Sequence, residues 1–194
     1  MTDSDHKNDL LRYLQEARDA LLWKLDGLSE YDARRPLTPT GTNLLGLLKH
    51  LAGVELGYLC DTFGRAHGEP LPDLTDAADQ NADMFATADE SREAIIERYR
   101  RAWAHADASV TELPLDTVGT VPWWPKERNQ VTLHHVLVRV LSDTQRHAGQ
   151  ADILREGLDG LIGYRQDNDS LPPLEWERHH ALLEEIARKA ADRP

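Results

Sequence analysis

The chain has 194 residues, 40% of them apolar, a single cysteine (Cys60) and a net charge of −12, which fits one domain with an adequate core and without disulfides. Because an acidic surface repels phosphate backbones, this charge argues against nucleic-acid binding. The polar start lacks a signal-peptide pattern and no run reaches the roughly 18 apolar residues of a membrane helix, so we expect one cytoplasmic domain over residues 1–194, with flexible ends at 1–6 and 190–194.

Apolar residues recur at helical spacing in four long segments, and no segment shows sustained strand-like alternation. The first helix is predicted over about residues 5–28, with Gly27 as a stop signal near its end. The second is predicted over about residues 42–63, where either Thr42 or Asn43 could cap its start.

A long connection follows, over about residues 64–87. It contains glycines and prolines and then an acidic, weakly periodic stretch. Connections of this length inside a compact domain often carry function or cross the bundle. The third helix is predicted to begin near Asp89 and to continue through Val110.

The fourth helix is predicted over about residues 131–158, after a proline-rich loop that carries Trp123 and Trp124. Its apolar residues alternate spacings of three and four, a seam typical of a helix packed lengthwise against others, and Gly160 marks its end. A final, more polar helix over about residues 173–190 is expected to lie against the bundle. The predicted fold class is therefore all-α, a four-helix bundle with long crossover connections and an extra C-terminal helix.

Two polar side chains interrupt the apolar seam of the fourth helix. Asp143 and His147 are four residues apart, so they lie on one helical face with their Cβ atoms about 5–6 Å apart. A carboxylate and an imidazole in this arrangement can share a metal ion. His50 lies at the margin of the apolar face of the second helix. If these two helices are neighbours, the three residues form a ligand set that leaves a position open for water or substrate. The ligand types suit Zn²⁺, Ni²⁺, Fe²⁺ or Mn²⁺, of which we favour Zn²⁺.

Taken alone, these residues allow other interpretations. Asp143 and His147 could form a hydrogen-bonded pair in a bundle without metal, and His50 could be a satisfied histidine at the edge of the core.

Four further residues are weaker candidates for a role near this site. Gln150, one turn after His147, could orient a ligand or be a plain surface amide. Glu55 could accept a proton, although a solvated or capping carboxylate is the simpler interpretation. Trp123 and Trp124 could line a pocket at the rim of the bundle or plug its end.

Three segments of the chain resemble the DinB/YfiT-like superfamily. They are K-H-L-A-G-V-E-L-G-Y-L at 49–59, V-P-W-W-P at 121–125 and V-L-V-R-V-L-S-D-T-Q-R-H-A-G-Q-A-D-I-L-R-E at 136–156. The similarity is greatest to the actinobacterial branch that includes mycothiol-dependent maleylpyruvate isomerase and the mycothiol S-transferases, and it covers roughly residues 10–185. Such proteins are metal-binding four-helix bundles and are commonly dimeric.

By position, the resemblance places the metal-binding histidine of the second helix at His50 and the ligand pair of the last bundle helix at Asp143 and His147. The chain departs from the family pattern at Asp143, where a longer Glu or a His is usual. The resemblance also implies a low-molecular-weight thiol such as mycothiol, an electrophilic substrate and a homodimer. The expected function is a metal- and thiol-dependent transferase or isomerase, with a non-catalytic metal- or ligand-binding stress-related protein as the alternative.

Overall fold

The structure, a computed structural model, describes residues 2–71, 81–166 and 170–192. In these ranges helices dominate and the strands are limited to one small sheet, so the predicted all-α class is confirmed. The elements are α1 (Asp3–Trp23), α2 (Glu30–Arg34), α3 (Leu44–Leu59), a 3₁₀ turn (Asp61–Phe63), α4 (Arg92–Glu112), β1 (Val118–Thr120), β2 (Gln130–Thr132), α5 (Leu133–Asp159) and α6 (Trp176–Ala191).

The bundle is formed by α1, α3, α4 and α5, with α3 at its centre. Helix α3 packs along both α4 and α5, and α1 packs along α5. Because of its many leucines, α3 is apolar on nearly all sides, and such a helix is stable only when its neighbours cover those sides. The neighbouring helices bury these leucines. Those that are fully buried are Leu44, Leu45, Leu47, Leu48, Leu51, Leu56 and Leu59.

Side-chain caps set where α3 and α4 begin. Of the two predicted caps for α3, it is Asn43 whose side chain accepts the hydrogen bond, from the backbone N–H of Gly46 at 2.8 Å. Helix α4 begins at Arg92 rather than near Asp89, because the Ser91 side chain caps it by accepting from the third residue of the first turn.

Helix α5 ends as the sequence predicts, whereas α1 ends earlier. Gly160 follows α5 with φ of +78°, a left-handed conformation that favours glycine. Helix α1 stops at Trp23 rather than at residue 28. The carbonyls of Lys24 and Asp26 just beyond it each accept a hydrogen bond at 2.8 Å from Arg155 of α5. These two carbonyls therefore have a donor although the helix does not continue to supply one.

The proline-rich loop before α5 contains the sheet that the periodicity did not predict. Strands β1 and β2 pair antiparallel with Gly119 opposite Val131, and three-residue strands are too short to show alternation in the sequence. Gly119 lies against the 3₁₀ turn, where an added Cβ would come within 2.7 Å of the Phe63 ring. The sheet is thereby fixed to the end of α3.

Helix α6 does not bury any of its residues, so the expectation that it lies against the bundle is wrong for the described residues. Its apolar stripe and the segment before it stay exposed, at 42–53% of each side chain's full accessibility. The exposed apolar residues are Leu171, Leu174, Trp176, Leu182, Leu183 and Ile186. Over the described ranges, no helix combines the length and apolar character that crossing a bilayer requires.

A fully buried ion pair joins α1 to α3. Arg18 donates two hydrogen bonds to the carboxylate of Glu55, at 2.9 and 2.5 Å, and neither side chain is exposed. A third hydrogen bond runs from Arg18 to Asp107 of α4 at 2.9 Å. Burial opposes the charge of the guanidinium, but the Glu55 carboxylate outweighs this and raises the pKa of Arg18. The interpretation of Glu55 as a solvated or capping carboxylate is therefore wrong.

Replacing Glu55 with glutamine should lower the free energy of unfolding by about 3–5 kcal/mol, because it leaves the buried guanidinium of Arg18 with only the partly exposed carboxylate of Asp107 as a partner. Urea denaturation followed by far-UV circular dichroism measures this change. The matched control is Asp107→Asn, which removes the partly exposed partner and should cost about 1 kcal/mol or less. Equal losses in the two variants would contradict the central role given to the α1–α3 pair.

Candidate metal centre

Helices α3 and α5 bring the three predicted ligands together. His50 Nε2 lies 3.8 Å from one carboxylate oxygen of Asp143, and His147 Nε2 lies 3.8 Å from the other. One ligand atom from each residue lies within 4.8 Å of the other two. These separations exceed hydrogen-bond lengths, but they approach the roughly 3.4 Å between two ligand atoms that each bind a tetrahedral Zn²⁺ at about 2.1 Å. We call these three residues the triad.

Both histidines of the triad are oriented by a hydrogen bond at Nδ1. His50 Nδ1 lies 2.6 Å from a carboxylate oxygen of Asp83, and His147 Nδ1 lies 2.7 Å from the amide oxygen of Gln150. A histidine whose Nδ1–H donates outward presents the Nε2 lone pair to the opposite side, which is the usual arrangement of metal-binding histidines. In both cases that side faces the carboxylate of Asp143.

Asp83 is the residue of this site that the sequence did not predict. It lies in the long connection between α3 and α4, of which residues 72–80 are outside the described ranges. No helical spacing relates it to His50, 33 residues earlier. The one signal was the length and acidity of the connection itself.

Backbone contacts hold this part of the connection, residues 81–90, against the first turns of α3. The carbonyl of Met84 accepts from the Asn43 side chain at 3.3 Å, and that of Phe85 accepts from Lys49 at 3.1 Å. Lys49 also pairs with Glu90 at 2.8 Å. Gly46 permits this close approach, because an added Cβ would overlap the Met84 carbonyl. Asp83 is thereby delivered to His50.

The charges of the site favour a cation at His50. Its side chain is 22% exposed, and although burial disfavours the charged imidazole, the carboxylates of Asp143 and Asp83 outweigh that effect and raise the pKa of His50 to about 9. The same contacts with His50 lower the pKa of both Asp83 and Asp143. At neutral pH and without metal, the imidazolium supplies the positive charge between these two carboxylates.

The four weaker candidates lie in three different surroundings. Gln150 holds His147 as described, and Glu55 is bound to Arg18 in the core and does not face the triad. Trp123 and Trp124 pack edge-on against Tyr58, with ring centroids 5.1 and 5.9 Å away.

The tryptophan pair therefore packs on α3 about two turns beyond His50 and does not belong to the triad. Tyr58 is eight residues beyond His50 on α3, which is about 12 Å along the axis. Its hydroxyl accepts from Trp124 Nε1 at 3.2 Å. Trp123 is 49% exposed, so it lines the surface at the rim and does not plug the end of the bundle. Gly57 makes room for its ring, since an added Cβ would lie 2.9 Å from it.

Fold and site together define a helical bundle with two imidazoles and one carboxylate in position for a metal ion. The chain belongs to the mycothiol-S-transferase family, whose sequence model matches residues 9–160. The match includes α3, α4 and α5 with the whole triad, and ends before α6. The resemblance to the mycothiol-related branch is thus confirmed. No curated protein is significantly similar to the chain.

The metal-free protein should lose stability as the pH rises from about 6.5 to about 9. The pKa of His50 is 6.5 in an unfolded chain and about 9 in the fold, so its protonation stabilises the fold fully below the lower value and not above the higher one. The lowered pKa values of Asp83 and Asp143 act only at acidic pH and do not affect this window. Urea midpoints measured with a chelator present test the expectation.

Two variants separate His50 from other titrating groups. His50→Gln should flatten the stability profile between pH 6.5 and 9, whereas His180→Gln, a change at an exposed histidine of α6, should leave it as it is in the wild type. An unchanged slope in His50→Gln would show that the imidazole is not the group responsible.

Proposed function

We propose that this protein is a divalent-metal-dependent S-transferase that uses a low-molecular-weight thiol, mycothiol, as its nucleophilic substrate. The observation that carries the proposal is the shared orientation of two histidines, each with Nδ1 hydrogen-bonded outward and Nε2 facing Asp143. Family membership supplies the thiol and the reaction class. A homodimer and a cytoplasmic location stay predictions.

The proposed metal ligands are His50, Asp143 and His147. Two imidazole nitrogens and one carboxylate suit Zn²⁺ best in our view, and Ni²⁺, Fe²⁺ or Mn²⁺ also accept this set. Asp143 is one methylene shorter than the Glu usual in the family, yet its two oxygens stand equally far from the two imidazoles, which supports a ligand role. A divalent ion would supply Lewis acidity, which lowers the pKa of a coordinated thiol so that the thiolate is available at neutral pH.

The residues of the chain orient and expose the site. Asp83 and Gln150 hold the protons at Nδ1 of His50 and His147, which keeps both Nε2 atoms available. The Asp143 side chain is 37% exposed, so a small molecule can reach the triad. In the proposed transfer the thiol proton goes to solvent, a bond forms between sulfur and an electrophilic carbon, and the leaving group departs with the bonding electron pair.

Untagged protein should bind one Zn²⁺ per chain in isothermal titration calorimetry after chelator treatment. His50→Ala and His147→Ala should abolish this binding, because each removes a ligand. Asp83→Asn should weaken it by about 10–100-fold, the usual effect of losing a partner that orients a metal-binding histidine.

The control for this titration is His67→Ala. His67 also contacts a carboxylate, that of Asp61 at 3.0 Å, but it lies outside the triad, so binding should be unchanged. Binding that persists in His50→Ala at wild-type affinity, or the lack of stoichiometric binding in the wild type, would refute the proposed centre.

The wild-type protein with metal should consume mycothiol in the presence of 1-chloro-2,4-dinitrobenzene faster than the uncatalysed reaction does. Chelation and the His147→Ala change should each reduce the rate to the uncatalysed level, and Zn²⁺ should restore it after chelation but not in the variant. The appearance of the thioether is followed by absorbance. Metal binding without turnover, over a panel of electrophiles, would instead favour the non-catalytic alternative.

A further inference from the structure

Two arginines flank Asp143 on the outer side of α5, and both lack an ion pair within the described ranges of the chain. Arg139 precedes Asp143 by four residues and Arg146 follows it by three, so all three lie on neighbouring turns. This is unusual in a chain with a net charge of −12, where most arginines contact a carboxylate. Those that do are Arg12, Arg18, Arg34, Arg35, Arg65, Arg92, Arg98, Arg100, Arg101, Arg155 and Arg188.

Arg139 is held in place by aromatic rings. Its guanidinium carbon lies 5.0 Å from the centre of the Tyr58 ring and 5.3 Å from that of Trp124. The guanidinium is thus within cation–π distance of two rings, and its N–H donors take part in no ion pair within the described ranges. Because the side chain is already positioned, binding an anion costs less conformational entropy than it would at a mobile surface arginine.

Both arginines line an open cavity that reaches the triad. The cavity has a volume of about 740 Å³ and runs along α5, with Asp143 in its wall. This volume is within the range of small-molecule sites. Arg139 and Asp143 are one helical turn apart, with their Cβ atoms about 5–6 Å from each other.

We propose that Arg139, assisted by Arg146, binds a carboxylate of the electrophilic substrate and so makes the protein selective for anionic electrophiles. The inference rests on the proposed S-transferase function. A guanidinium binds a carboxylate through two parallel hydrogen bonds, which gives both affinity and orientation. The overall negative charge repels polyanions, whereas a single carboxylate requires only the local positive charge of these two side chains.

A matched pair of electrophiles, 4-chloro-3-nitrobenzoate and 4-chloro-3-nitrobenzamide, tests the selectivity. In each reaction chloride leaves with the bonding electron pair, the thiol sulfur takes its place and the thiol proton goes to buffer. Relative to each uncatalysed rate, the wild type should favour the benzoate by about tenfold or more in kcat/KM. Arg139→Gln should remove most of this preference through KM and should change the benzamide reaction by less than about twofold.

Three other variants make the result specific. Arg139→Lys, which keeps the charge but loses the planar fork, should keep part of the preference, and Arg146→Gln should reduce it. Arg178→Gln removes an exposed arginine of α6 that also has no ion pair in the described residues, and should behave as the wild type does. An equal loss for both electrophiles in Arg139→Gln would show a structural role and overturn the proposal.

A binding measurement decides the question independently of turnover. Calorimetric titration of chelator-treated protein with 3-nitrobenzoate and 3-nitrobenzamide excludes ligation of the probe by a metal. The wild type should bind the benzoate more tightly, and Arg139→Gln should weaken that binding by about tenfold without affecting the benzamide. Equal affinities in the wild type would refute the arginine site. A lack of thiol turnover together with the expected binding would refute only the proposed transferase.

Discussion

The packing of α3 between α4 and α5 is the constraint on which the site depends. Because α3 is buried on nearly all sides, only a narrow margin of it reaches solvent, and His50 lies there opposite Asp143 and His147. The buried pair of Arg18 and Glu55 fixes α1 to the same helix. A small rotation of α3 would therefore disturb the core and separate the triad at the same time.

The sequence predicted the four bundle helices and part of the site, because both follow from local spacing. Asp143 and His147 belong to one helix, so their proximity could be predicted from their separation. His50 required the assumption that two helices are neighbours, and the family resemblance supported it. Asp83 and the burial of Glu55 could not be predicted, since each depends on a partner 33 or 37 residues away that no periodicity relates to it.

Electrostatics gives the two sides of the site opposite preferences. At the triad, the carboxylates of Asp83 and Asp143 surround His50 and favour a positive charge, as a proton or as a metal ion. One turn away, Arg139 and Arg146 favour a negative charge. A cation at the triad and an anion at the two arginines attract each other. Binding of either one therefore favours binding of the other.

Gly46 shows how a residue with no side chain to offer can still control this site. The connection after α3 is attached partly through its main-chain carbonyls at Met84 and Phe85, and these two hydrogen bonds do not depend on the side chains of those residues. A methyl group at position 46 would displace that main chain and with it the carboxylate that orients His50. The main-chain attachment therefore constrains position 46 more tightly than it constrains the side chains of Met84 and Phe85 themselves.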